Sequence, residues 1–136
     1  MMRRAFSLFE MLIVLAIIGL LAALVAPRLA GVFSGGQVKQ TKAQIQLLSG
    51  AVAKFQLDML RVPTEEEGLH ALIEKPTDAD EKWEGPYLER RSLPKDGWNH
   101  DFVYKTDPEF DYIIISLGSD GREGGDGDAA DLDNRS

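Results

Sequence analysis

Cysteine is absent from all 136 residues, so no disulfide can staple the fold. The two histidines, His70 and His100, have no Cys partner and no His-x-x-x-His spacing. They read as surface or half-buried packing rather than as a transition-metal pair. Basic residues are in deficit: 15 Lys and Arg face 22 Asp and Glu, a net charge of −7. That excess argues against nucleic acid as a partner and suits an exported surface or a cation site. Catalytic patterns are missing too. Ser116 and Ser119 have no visible base and orienting group, no Gly-rich loop opens an apolar helix to hold phosphate, and no segment repeats. An enzyme is the class with least support.

What the chain does have is one long apolar run at its start. Met11 to Ala26 is unbroken, and Phe6 to Ala26 has only Ser7 and Glu10 as polar residues. As a helix the longer span covers about 31 Å, close to the hydrocarbon thickness of a bilayer. Arg3 and Arg4 precede it, which puts the N-terminus in the cytoplasm and the rest across the membrane. An ordinary secretory signal has a shorter apolar core and an A-x-A cleavage site. Pro27 follows the run instead, and a signal anchor alone leaves Glu10 unexplained. An ionisable group at membrane depth costs about 2.5–3.5 kcal/mol by insertion scales. Two readings of Glu10 stand side by side on the residues alone. It sits at the headgroup level and favours the helix N-terminus, or it pairs with a cation of another subunit in low dielectric and sets the register between them.

The segment Arg3-Arg4-Ala5-Phe6-Ser7-Leu8-Phe9-Glu10-Met11 resembles the processing site of type IV prepilins and pseudopilins. In that family a basic leader is cut before a Phe, and a Glu stands five residues into the mature chain. The resemblance implies a cut between Ala5 and Phe6 by a prepilin peptidase and methylation of the new N-terminus. It also makes Glu10 the Glu that meets the Phe6 amine of a neighbouring subunit, and so favours the assembly reading. Ala5 stands where the family usually has Gly.

Beyond the anchor, Pro27 is expected to kink or interrupt the helix, with Gly31, Gly35 and Gly36 behind it. This is either a linker or a segment that bends when subunits pack. From Gln37 to Leu60, Leu48, Val52, Phe55 and Met59 fall on one helical face and read as core, and Pro63 ends the segment. Thr64 can cap a short helix carrying Glu65, Glu66 and Glu67 in its first turn. Short strands follow at Phe102 to Tyr104 and Tyr112 to Leu117. Trp83 and Trp98 fill the core or anchor loops. The fold class is α+β: a long N-terminal helix, half of it transmembrane, packed on a small antiparallel sheet with long loops, which is a type IV pilin-like architecture. The divisions are a leader over 1–5, an anchor helix over 6–33 and a globular domain over 34–136.

The tail from 117 to 133 is rich in Gly and Asp. Asp120, Glu123, Asp126, Asp128, Asp131 and Asp133 share it with one Arg. Calcium takes six to eight oxygens from flexible loops, but this spacing is not an EF-hand, and a solvated acidic tail accounts for the composition equally well. The segments Val62–Leu72, Leu93–Tyr104 and Asp111–Gly125 together resemble the major pseudopilins of type II secretion systems. The resemblance implies a calcium loop, with Asp120 and Asp131 as side-chain ligands and Leu117 and Arg122 as carbonyl ligands. The family's remaining Asp falls on Ala130, so Asp128, or Asp126 as the alternate, would substitute. Gly97 stands where the family tends to have Pro, Asn99-His100-Asp101 replaces a Gly-Asn-Pro run, and the last six residues lack the usual Gly-Asn-Trp.

The resemblance implies a structural subunit of a periplasmic pseudopilus that helps drive folded proteins through an outer-membrane channel. Its partners would be further copies of itself, minor pseudopilins, an inner-membrane assembly platform and the inner membrane. The rival readings are a minor pseudopilin, a surface type IV pilin, or a signal-anchored calcium-binding module that never assembles.

Overall fold

The computed structural model describes residues 4–79 and 81–135. Arg3 of the basic cluster and Ser136 of the divergent C-terminus lie outside them. The chain forms two units, Met1–Gly35 and Gly36–Ser136.

The first unit is the start of helix α1, Leu8–Met59. Its apolar side chains are exposed, from Leu8 at 82% to Phe33 at 71%. A helix apolar on all sides and uncovered by its own chain needs lipid or other helices around it. Pro27 lies inside α1, as do Gly31, Gly35 and Gly36. The expected interruption is therefore absent: the helix runs through Pro27. The proline costs one backbone donor, and the turns on either side keep the helical path.

In the second unit, α1 buries Thr41, Ile45, Leu48, Ala51, Val52 and Phe55. The face read from spacing is the core face, with half-buried Met59 at its end. The helix stops before Pro63 requires it to. Leu60 takes a left-handed φ of 58°, the conformation that terminates helices and that glycine usually supplies. Thr64 does form a cap, but over a single turn. Its Oγ1 accepts from Glu67 N at 3.2 Å, and Glu67 Oε2 accepts from Thr64 N at 2.9 Å, a reciprocal capping box. The chain then tightens into a short 3₁₀ helix, Gly68–Leu72, which starts after the three glutamates rather than carrying them in its first turn. Arg61 donates to both Glu67 oxygens, at 2.7 and 2.8 Å, and these bonds hold the Glu67 carboxyl below its ordinary value. Glu65 serves the sheet rather than a helix dipole: its Oε1 accepts from Thr106 N and Oγ1, both at 3.0 Å.

Three antiparallel strands follow in the order β1-β2-β3: β1 Val103–Asp107, β2 Asp111–Ser116 and β3 Leu132–Asp133. The register pairs Val103 with Ile115 and Asp107 with Asp111 on one side of β2, and Ile115 with Asp133 on the other. The expected strands are both present with shifted ends; β3, two residues long, is too short to carry a periodicity and lies in the Gly- and Asp-rich tail. Ile114 joins Phe55, Leu48 and Leu72 in the core. Tyr104 and Tyr112 stack at 6.1 Å between centroids. Burial pushes the Tyr104 phenol above its ordinary range, and its hydroxyl donates to Pro63 O at 2.7 Å. Trp83 anchors a loop, donating from Nε1 to Ala71 O at 2.9 Å.

Candidate functional site

Two regions hold the candidate residues. At the N-terminus, Ala5 and Phe6 precede α1 in an exposed, non-helical stretch. Glu10 lies in the first turn of α1 and has a local bond. Its Oε2 accepts from Ser7 N at 2.9 Å, while Ser7 Oγ accepts from Glu10 N at 3.2 Å. This is a capping box that satisfies two orphan donors of the helix end. The Ser-x-x-Glu spacing carries that signal, and Ser7 was overlooked because the apolar run around it dominates the pattern. The box bears on the helix-end reading of Glu10 and leaves one carboxylate oxygen, Oε1, beyond it.

In the second region, the chain leaves β2 at Leu117, which is half-buried, and enters the acidic loop. Asp120, Arg122, Asp126, Asp128 and Asp131 are all exposed along it. Among the described residues, no three His, Cys, Asp or Glu side chains converge to hold a metal. Asp120 Oδ1 accepts from Arg122 N at 3.0 Å, and Asp131 Oδ2 accepts from Gly124 N at 3.1 Å. Asp128 contributes its carbonyl, accepting from Ser119 N at 2.8 Å. Asp126 precedes a 3₁₀ turn over Gly127–Ala129. The two ends of the loop nevertheless meet. Gly118 has φ +72°, and a Cβ there would lie 2.8 Å from the carbonyl oxygens of Ala129 and Ala130, so only glycine allows that approach. Gly118 thus brings the backbone of Ala129 and Ala130, just before Asp131, against the start of the loop. An all-oxygen donor set of carbonyls and separate carboxylates fits calcium and not a soft metal.

Behind the loop stands a turn whose importance the spacing does not reveal. Asp96 is only 3% exposed. Its Oδ1 accepts from Trp98 N at 3.0 Å and from His100 N at 2.8 Å, and its Oδ2 accepts from Ser116 Oγ at 2.7 Å. The structure thus brings a Ser, an Asp and a His together, but in the wrong order for acyl transfer. The serine is fully buried and donates to a carboxylate, with no imidazole between them, whereas a nucleophile needs its base at the hydroxyl and must reach solvent. Next in sequence, Gly97 N donates to the buried Thr41 Oγ1 at 2.8 Å. A proline at 97 would lack that donor. A Cβ there would collide with Gln37, whose Cα would be 2.8 Å away, so this turn lies directly on the α1 backbone.

Known proteins share these features. The family model for type II secretion system (T2SS), protein G matches residues 28–135, and the prokaryotic N-terminal methylation motif matches residues 1–26. The type II secretion system core protein G of Vibrio cholerae is 37% identical over 132 residues, covering 95% of this chain and 89% of that protein. Its counterpart in Pseudomonas aeruginosa is 36% identical over 135 residues, covering 95% and 92%. The crystal structure of the major pseudopilin from the type 2 secretion system of enterohaemorrhagic Escherichia coli superposes with a TM-score of 0.64 at 31% identity, covering 79% of this chain and 94% of that one. The expected fold is therefore the observed one, and the minor-pseudopilin and surface-pilin readings give way. With an N-terminal methylation motif and an exposed apolar helix, the chain belongs to the type II secretion system protein G family, whose members are structural subunits of the pseudopilus rather than enzymes.

Proposed function

We propose that this chain is the major, self-assembling subunit of a periplasmic pseudopilus that moves folded proteins outward through the outer membrane. It is inserted in the inner membrane with its N-terminus cytoplasmic and its α+β domain periplasmic. A prepilin peptidase cuts between Ala5 and Phe6, and the new amine is methylated. Further copies, minor pseudopilins and an inner-membrane platform are its partners. The observation that carries the reading is the uncovered apolar start of α1 with a carboxylate in its first turn. After cleavage, Phe6 brings a cation to that same end of the helix. A neighbour's Glu10 compensates it in a medium where a lone charge is expensive.

The capping box makes the test sharp. Glu10→Gln preserves the box, since Gln serves at that position, but leaves the neighbour's amine without a counter-charge. An uncompensated buried charge costs about 3–5 kcal/mol, so filament yield should fall by about two to four orders of magnitude while helix content by circular dichroism stays unchanged. Filaments at the normal level from Glu10→Gln would overturn the pairing and leave Glu10 as a helix-end residue.

The acidic loop is proposed to hold calcium through Asp120, Asp131 and the carbonyls of Leu117 and Arg122, with Asp128 or Asp126 in support. Bound calcium would cross-link a segment with little apolar mass, so that binding energy becomes folding energy. Chelator should therefore expose residues 117–133 to proteases and leave the α1 core face protected, and added calcium should restore resistance. Equal resistance in both conditions would remove the cation from the proposal.

A further inference from the structure

We propose that His100 is a positioning residue, the latch that fixes the first turn of the acidic loop to the buried Asp96 turn and so presets the cation ligands; this rests on the calcium reading above. Gly118 is the hinge of that loop, and both its main-chain polar atoms are held. Its N–H donates to Ser116 Oγ at 3.3 Å, and Ser116 Oγ in turn donates to Asp96 Oδ2. Its carbonyl lies 3.1 Å from His100 Nδ1. A carbonyl can only accept, so Nδ1 carries the proton in this contact. The main-chain N–H of His100 donates to Asp96 Oδ1. A closed ring of four hydrogen bonds thus runs from Gly118 through Ser116, Asp96 and His100 back to Gly118.

The ring's consequence is directional. Gly118 sits between Leu117, whose carbonyl is a proposed ligand, and the turn that carries Asp120. Holding both polar atoms of Gly118 fixes the peptide planes on either side of it, and hence where those oxygens aim. Side chains that orient ligands in this way commonly alter metal affinity by about 10–100-fold when removed. The His100 ring also lies against the next glycine of the loop: a Cβ on Gly121 would be 3.4 Å from its Cε1. The imidazole therefore contacts the loop at both Gly118 and Gly121.

Two variants of full-length protein in detergent test the latch. His100→Leu keeps a similar volume against Gly121 and removes the donor. His100→Asn keeps a donor, because its Nδ2 occupies the place of Nδ1 along the side chain. Calcium affinity is read by titration calorimetry, and loop order by hydrogen exchange of the 118–121 amides in chelator. His100→Leu should weaken calcium binding about tenfold and speed exchange of those amides, and His100→Asn should recover both. Wild-type affinity and wild-type exchange in His100→Leu would overturn the proposal, as would failure of His100→Asn to recover either. If the wild-type protein takes up no calcium, the calcium reading falls. The exchange comparison in chelator then still decides the latch: faster exchange in His100→Leu, recovered in His100→Asn, upholds it, and unchanged exchange refutes it.

Discussion

Phe55→Ala should unfold the globular domain at far lower temperature than the wild type, with a loss of about 3–5 kcal/mol. Phe55 is 0% exposed. Tyr87 packs edge-on to it at 5.8 Å, and Trp83 packs edge-on to Tyr87 at 5.6 Å. The Arg61 guanidinium lies 5.5 Å above the Phe55 ring. None of these neighbours can collapse into the vacated space without losing a bond of its own. Tyr87 is held by Asp58, to which its hydroxyl donates at 2.8 Å, Trp83 by Ala71 O, and Arg61 by Glu67. The cavity therefore persists, and the cost falls at the upper end for such truncations. A domain of this size is stable by only about 5–15 kcal/mol, and each kcal/mol moves its midpoint by about 4–8 °C. Near-ultraviolet circular dichroism of the full chain in detergent, followed through a thermal ramp, reads the shift. Leu57→Ala serves as the control. Leu57 is two residues away on the same helix but 78% exposed, and its truncation should move the midpoint by no more than about 0.5 kcal/mol allows.

The Phe55 prediction could have been written from spacing alone, and the reason is physical. A core helix repeats every 3.6 residues, so Leu48, Val52, Phe55 and Met59 declare their face before any coordinates exist. The anchor declares itself through length and uniform apolarity, and the two longer strands through their β-branched and aromatic runs. What stayed hidden depends on contacts between distant parts of the chain. Strand β3 exists because Leu132 and Asp133 reach Ser116 and Ile115, and two residues have no period. The Thr41–Gly97 bond joins positions 56 apart, and the Asp96–Ser116 bond joins positions 20 apart. Ser116 falls inside the strand that the pattern marks, and Asp96 lies in a stretch without periodicity; nothing in either spacing says that they meet. Pro27 is the opposite case: one proline removes a single donor, and a long helix runs through it without a break. At the acidic loop the candidate ligands were legible as residue types, whereas the meeting of the loop's two ends depends on the close approach that Gly118 permits.

Asp96→Ala should be the second severe lesion, and comparison with Asp96→Asn separates its causes. The alanine variant takes the acceptor from the part-buried N–H groups of Trp98 and His100 and from the fully buried Ser116 hydroxyl. Leaving a buried donor unpaired costs about 1–3 kcal/mol. With three affected, some of which can turn toward other acceptors, the expected loss is about 3–5 kcal/mol. Asn keeps the shape. Its carbonyl oxygen can accept from both N–H groups, and its amide can donate to Ser116 Oγ. That oxygen already accepts from Gly118 N, so only the serine hydroxyl hydrogen is left without an acceptor. One unpaired donor in place of three predicts a loss of about 1–2 kcal/mol for Asp96→Asn. Urea denaturation of the full chain in detergent, with Trp fluorescence as the probe, measures both. The order matters more than the size. If Ala and Asn cost the same, the carboxylate acts through charge and not through its hydrogen bonds. If neither costs anything, the buried turn is not a support for the loop, and Gly118 is held by Ser116 Oγ and by the Gly121 N–H that its carbonyl accepts at 3.4 Å.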